Sequence, residues 1–250
     1  MNARLPLFTT LTLWLGMAWL SAGVLAFAQS NYRFDAATVS GLPARNIGSV
    51  VMSGRIAAVD AVDQDGRITV FVGAASGGVW KSVNGGTTYK PVFDREAVQS
   101  IGAVAIDPSN PKTVWVGTGE AWTRNSVSIG DGVYRSTDGG RKWDEITAGL
   151  PSEFGFAMVA HPRDPLTVWN IPLTQPDAGR FMPDGHASVW RTHDGGDHWI
   201  RGDGGLPKED AYLGVLREAM ARDDLDPVGI YFGTSTGQLY GSADVGASWT

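Results

Sequence analysis

Four carboxylates, three arginines and one tryptophan stand where they could do chemistry. Glu120 and Asp131 bracket Trp122 and Arg124 in one stretch, and Asp177, Arg180 and Asp184 crowd a second. Arg55 stands alone upstream. A glycoside hydrolase needs two carboxylates roughly 5–9.5 Å apart, one to protonate the leaving group and one to attack or to activate water. Glu120, Asp131, Asp177 and Asp184 could supply them, but nothing in their spacing selects a pair, and solvated loop acids are the plainer reading. An aromatic beside charged groups suits binding equally well. Trp122 could stack on a sugar ring or a peptide side chain, with Arg124, Asp131 and Arg180 around it. The four histidines, His161, His186, His193 and His198, are scattered, and cysteine is absent. No metal-ligand spacing, phosphate loop or nucleophile elbow is present, so no metal or cofactor is expected.

The elements that must position these residues announce themselves by repetition. Ser82, Asn84, Gly86 and Tyr89 follow the pattern S/T-x-D/N-x-G-x-x-W/Y, and three later stretches repeat it. These are Ser136, Asp138, Gly140 and Trp143, then Thr192, Asp194, Gly196 and Trp199, then Ser242, Asp244, Gly246 and Trp249. The acidic or amide positions lie 54, 56 and 50 residues apart. A near-fixed period of this size signals a repeat architecture. The acid and hydroxyl can bond nearby backbone N–H groups, and glycine tolerates positive φ, so the motif reads as a stapled turn between strands. The closing aromatic is large enough to wedge between neighbouring sheets.

Aligning the repeats places Val70–Gly73, Val114–Gly117, Val168–Ile171 and Ile230–Gly233 in register as strands. Before each comes turn chemistry such as Asp107-Pro108-Ser109-Asn110-Pro111, and before that a short apolar run. Each unit reads strand a, turn, strand b, loop, strand c, recurring turn, strand d. The stretch from Ala211 to Arg222 has helix-favouring composition, but register makes it strand a of the fourth unit, and packing overrides propensity.

The four copies resemble the Asp-box (BNR) repeat of sialidases, bacterial xyloglucanases, sortilin-type receptors and photosystem assembly factors. Residues 46–143, with Gly73-Ala74-Ala75-Ser76-Gly77-Gly78-Val79-Trp80 and Gly117-Thr118-Gly119-Glu120, are similar to bacterial sortilin-like propellers. Residues 149–249, with Tyr231-Phe232-Gly233-Thr234-Ser235, are more similar to a bacterial exo-sialidase-like BNR group. The resemblance implies an all-β fold, a β-propeller of four-stranded antiparallel blades. It also implies that the box acids are structural and lie away from any active site. About four blades are present, near 51–93, 98–147, 154–202 and 213–250, and an open arc is expected rather than a closed ring. Residues 29–50 form an N-terminal segment that could supply a closing strand.

In blade geometry the a–b and c–d turns share one face, and the b–c and d–a loops share the other. The distance from the strand b anchor to the recurring turn is 14 residues in units one and four, but 24 and 26 in units two and three. The two expanded b–c loops carry the candidate residues, and long loops on a rigid scaffold are where function concentrates. Arg55 starts strand a of unit one and Glu120 follows strand b of unit two. They are expected to face each other, as a structural ion pair or as a substrate-orienting arginine beside a carboxylate. Sialidase chemistry would need a tyrosine nucleophile with an acidic partner, and no such arrangement is legible. The sialidase R-I-P signature is here Arg55-Ile56-Ala57.

Arg4, the apolar run from Leu5 to Phe27 and Ala26-Phe27-Ala28 read as a signal peptide over residues 1–28. The product is expected to be periplasmic or extracellular and bacterial, with no stable membrane span after cleavage. The chain has 20 Lys+Arg against 26 Asp+Glu, a net charge of −6, which argues against a nucleic-acid partner. Thirty-three glycines and thirteen prolines suit many short strands with tight turns. The expected function is an exported binding module of the sortilin-like type, presenting peptide, protein or glycan ligands on the b–c loop face. The alternatives are a glycoside hydrolase of the xyloglucanase or exo-sialidase-like type, or a truncated structural fragment. Open blade edges would favour self-association.

Overall fold

The computed structural model describes residues 55–120, 129–216 and 218–250, with the backbone alone for Gly155 and Phe156. The signal-peptide region, the segment 29–50, and Trp122 and Arg124 lie outside the described residues.

Among the described residues, fifteen strands form four antiparallel sheets in chain order. Blade one holds β1 (Ile56–Gln64), β2 (Arg67–Ala74), β3 (Gly78–Ser82) and β4 (Lys90–Pro91). Blade two holds β5 (Ile101–Ile106), β6 (Val114–Thr118), β7 (Val133–Ser136) and β8 (Asp144–Glu145). Blade three holds β9 (Phe154–Ala160), β10 (Val168–Leu173), β11 (Val189–Thr192) and β12 (Ile200–Gly202). Blade four has three strands, β13 (Met220–Arg222), β14 (Ile230–Gly233) and β15 (Leu239–Ser242). Thr250 exchanges backbone bonds of 2.9 and 3.0 Å with Gly241 beside β15. Residues 211–216 are neither helix nor strand. Ala211, Leu213 and Val215 are buried there, and only Met220–Arg222 pairs with β14.

The hydrophobic core is three cores, one per seam. The first joins Ala58, Phe71 and Val79 of blade one to Ile101, Val104, Val114 and Val116 of blade two. The second joins Trp115 and Val133 to Met158 and Val168. The third joins Trp169, Ile171 and Val189 to Ile230, Phe232 and Trp249. Side chains alternate across a strand, so Val114 and Val116 pack toward blade one while Trp115 packs toward blade three. This explains why β5, β6 and β10 are buried throughout. A strand with a neighbour on both faces favours apolar residues on both sides, with Thr118 and Asn170 the buried polar exceptions here.

The end blades differ. β1 alternates, and Val59 is 57% exposed; in blade four Leu239 is 75% exposed. Inner strands meet as β1–β5, β5–β9 and β9–β13, and no comparable β13–β1 contact closes a ring among the described residues. The fold is therefore an all-β propeller of four blades that does not close, as the sequence predicts.

The recurring turns join the third to the fourth strand of blades one to three and follow β15 in blade four. In blade two the Ser136 Oγ accepts the Gly140 N–H at 2.8 Å and donates to Asp138 Oδ1 at 2.9 Å. Asp138 Oδ1 also accepts the Arg141 and Lys142 N–H groups at 2.8 and 3.0 Å. Ser82, Thr192 and Ser242 repeat the pattern with Gly86, Gly196 and Gly246. The glycine is required twice over at Gly196. Its φ is +101°, and a Cβ there would lie 2.6 Å from Ile146 of the preceding blade. The tryptophans then lock the seams. Trp143 Nε1 donates to the Val92 carbonyl at 2.7 Å and Trp199 Nε1 to the Ile146 carbonyl at 2.8 Å, each reaching back one blade.

Candidate functional site

Arg55 and Glu120 meet. Arg55 immediately precedes β1, Glu120 follows β6, and their side chains form an ion pair at 2.5 Å. β1 begins and β6 ends on the same face of adjacent blades, which is why residues far apart in sequence come together. The Glu120 side chain is only 3% exposed and that of Arg55 is 23% exposed. A carboxylate so buried needs its cation to avoid a large desolvation cost. In this arrangement the pair joins blades one and two, and Arg55 is the member with surface to offer.

Asp131 closes the expanded b–c loop of blade two. Its Oδ1 accepts the Thr118 hydroxyl at 3.0 Å, its Oδ2 accepts the Tyr134 phenol at 2.9 Å, and its own N–H donates to Thr118 Oγ1 at 2.8 Å. Burial pushes the Tyr134 hydroxyl far above its ordinary range, and the bond to Asp131 and the nearby acids push it further. Such a phenol keeps its proton and is a poor nucleophile. The sequence shows no tyrosine paired with an acid, yet the structure holds two such pairs, Tyr134 with Asp131 and Tyr231 with Asp223 at 2.9 Å. Glu96, in the d–a loop of blade one, is pushed up by burial and by the negative charge of Asp131.

In blade three the expanded loop contains two short 3-10 turns, Pro176–Ala178 and Pro183–Gly185. Asp177 and Asp184 are both exposed on them. Arg180 and Asp184 hold left-handed φ values of 57° and 60°, so the loop is shaped by backbone as well as side chains. His186 Nε2 sits 2.8 Å from Asp203 Oδ2, and Arg201 and Lys208 approach the same carboxylate at 3.3 and 3.6 Å. Burial raises the Asp203 carboxyl, but His186 and the two cations outweigh it and hold it low. His161 takes the part that Asp107 plays in blade two. Its Nδ1 accepts the Arg163 N–H as Asp107 Oδ1 accepts the Ser109 N–H.

The two long loops touch through Gln175, whose Nε2 donates to the Gly130 carbonyl at 3.1 Å. Beside this contact lies a cavity of about 570 Å³, lined by Glu145, Thr147, residues 148–151, Ser152, Glu153 and Gln175. It sits where the d–a loop of blade two meets the b–c loop of blade three, on the face opposite the recurring turns. Thus Asp131 lies one residue from the loop contact, and Arg55 with Glu120 marks the same face one blade earlier. The lining does not include Asp177, Arg180 or Asp184. Sequence reasoning missed Glu96, Glu145, Glu153 and Gln175. The weak signal for them is that Glu96, Glu153 and Gln175 fall in d–a or b–c loops and Glu145 ends β8, next to one. Among the described residues no group of His, Asp and Glu is arranged to hold a metal, and no helix is long and apolar enough to cross a membrane.

No family model matches the chain, and no curated protein matches it. Solved structures do match. An ancestral GH74 enzyme superposes at a TM-score of 0.58 with 20% identity, over 78% of this chain and 24% of that one. The GH74 enzyme of Niastella koreensis gives 0.54 and 20%, over 79% and 29%. YCF48 from Cyanidioschyzon merolae gives 0.50 and 17%, over 78% and 55%. The chain therefore spans between about a quarter and about half of the proteins it matches. At these identities the likeness establishes the fold, a β-propeller, and nothing of the chemistry.

Proposed function

We propose that this chain is an exported binding module of the sortilin-like, Asp-box type, holding a peptide or glycan on the face of its b–c and d–a loops. The cavity between the blade-two and blade-three loops carries the reading. It is open, it is lined by Glu145, Ser152, Glu153 and Gln175, and it lies on the face that the recurring turns leave free. Hydroxyl, amide and carboxylate groups around a wide cleft suit the hydroxyls of a sugar or the backbone and cations of a peptide. Trp122, Arg124, Asp131 and Arg180 flank it in sequence, and Arg55 has surface to add at the next seam.

A glycoside hydrolase is the second reading, and one observation favours it. Glu96, whose carboxyl is raised by burial and by the charge of Asp131, lies on the same face as Asp131, and a hydrolase needs two carboxyls near one another. Against it, both oxygens of Asp131 are already engaged. The test is a glycan and peptide array on the purified protein, followed by titration of the strongest ligand. Glu153→Ala and Trp122→Ala should each weaken binding by roughly 1–3 kcal/mol, with little change in thermal midpoint. Binding that is indifferent to both variants would move the ligand off this face.

A further inference from the structure

A second concave feature lies on the opposite face, at the seam of blades one and two. It is a pocket of about 370 Å³ lined by Lys81, Lys112, Thr137, Asp138, Gly139 and Arg141. Three cations converge there from three elements. Lys81, at the end of β3, crosses the seam and donates its Nζ to the Gly139 carbonyl at 2.8 Å, 5.2 Å from the Phe71 ring centre. Lys112 precedes β6, and its carbonyl accepts the Gly139 N–H at 2.8 Å. Arg141 comes from the recurring turn itself. Asp138 is the single lining carboxylate, and its Oδ1 is occupied by Ser136 and by the N–H groups of Arg141 and Lys142. Burial lowers the Lys81 ammonium, the charge of Arg141 lowers it further, and Asp138 offsets only part.

The other seams lack this surplus of positive charge, although they are built on the same turn. Gly195 bonds the Leu166 carbonyl as Gly139 bonds that of Lys112, so Leu166 stands in the lysine's place. Asp197 and Ala247 stand where blade two has Arg141. The turn therefore folds without Lys112 or Arg141, and both side chains are exposed. In a chain of net charge −6, three cations around one carboxylate make this pocket locally positive.

We propose that Lys81, Lys112, Thr137 and Arg141 form a binding site for a tetrahedral oxyanion, the group shared by inorganic sulfate and phosphate and by their esters. Lys112 and Arg141 approach from opposite elements, the Thr137 hydroxyl is exposed beside them, and Lys81 fixes the floor. Charge-assisted bonds from a guanidinium and ammonium groups are the usual means of holding such an anion. The site lies across the molecule from the loop face and stands independently of the reading made there.

Calorimetric titration with inorganic sulfate and with inorganic phosphate, at constant ionic strength set by sodium chloride, tests it. Saturable binding of at least one dianion is expected. Lys112→Ala and Arg141→Ala should each weaken it about tenfold or more, as the loss of one charge-assisted bond would. Their thermal midpoints without anion should match the parent. Glucose 6-sulfate and glucose 6-phosphate, titrated in parallel, then assign the ester the site prefers. No saturable heat with either inorganic dianion, or equal heat in the parent and both variants, overturns the proposal.

Discussion

Glu120 is almost inaccessible and is paired with Arg55. Arg55→Ala should therefore destabilise the fold by on the order of 3 kcal/mol, because it removes a cation from beside a buried carboxylate. The double variant Arg55→Met with Glu120→Leu should recover most of that loss, and urea denaturation of the three proteins measures both. A destabilisation by Arg55→Ala that the double variant does not relieve would mean the arginine acts through something other than the pair. The pair is legible in the sequence, because the start of strand a and the end of strand b in adjacent blades share a face. The Tyr134–Asp131 bond is not. It depends on the angle at which the loop re-enters β7, which Thr118 sets through three bonds with no signature in the sequence. Glu96 was missed for a related reason, since nothing in its neighbours marks it as facing Asp131.

At the level of elements, the recurring turn is a hydrogen-bonded staple whose acid must be ionised. Bonds from the Ser248 hydroxyl and N–H and from Ser242 bring the Asp244 carboxyl down to about 2. Burial raises Asp138 and Asp194, but the N–H, hydroxyl and histidine donors of their own turns outweigh it, and both are held low. A carboxyl depressed in the folded state binds fewer protons than in the unfolded chain, so its contribution is complete above the unfolded pKa. The thermal midpoint should be level above about pH 5 and fall as the pH drops from about 4 toward 2. Asp138→Ala should cost on the order of 1–3 kcal/mol at neutral pH and flatten part of that acid limb. Differential scanning calorimetry across the range checks this, and an unchanged limb would remove Asp138 from the account. The strand plan followed from repeat register, even at Met220–Arg222 where composition favours helix. The loss of regular structure over 211–216 did not, because burial of Ala211, Leu213 and Val215 is satisfied there without a ladder.

At the scale of the whole molecule, each seam is a core, and among the described residues the two end blades each keep one face without a neighbouring blade. The third seam is tight at the backbone. A Cβ at Gly202 would lie 2.1 Å from the Gly246 carbonyl oxygen, and the Trp249 N–H bonds the Gly204 carbonyl at 2.7 Å. Gly202→Ala should loosen blade four selectively, seen as faster hydrogen exchange in residues 220–250 with blades one and two unchanged. Uniform protection throughout would show that blade four is not held through this contact. The open arc was legible from the number of repeats, whereas the division of labour between faces needed the cavity and its lining residues. One face is occupied by stapled turns, and on the other we propose that the long loops bind a ligand at the cleft without cleaving it. The most direct measurement of that claim follows the strongest array ligand by calorimetry and by mass spectrometry together, in the parent, Glu153→Ala and Glu96→Gln. The account predicts saturable binding, about tenfold weaker in Glu153→Ala, and an unaltered ligand mass in every sample. Cleavage of the ligand by the parent, abolished in Glu96→Gln while binding persists, would contradict it.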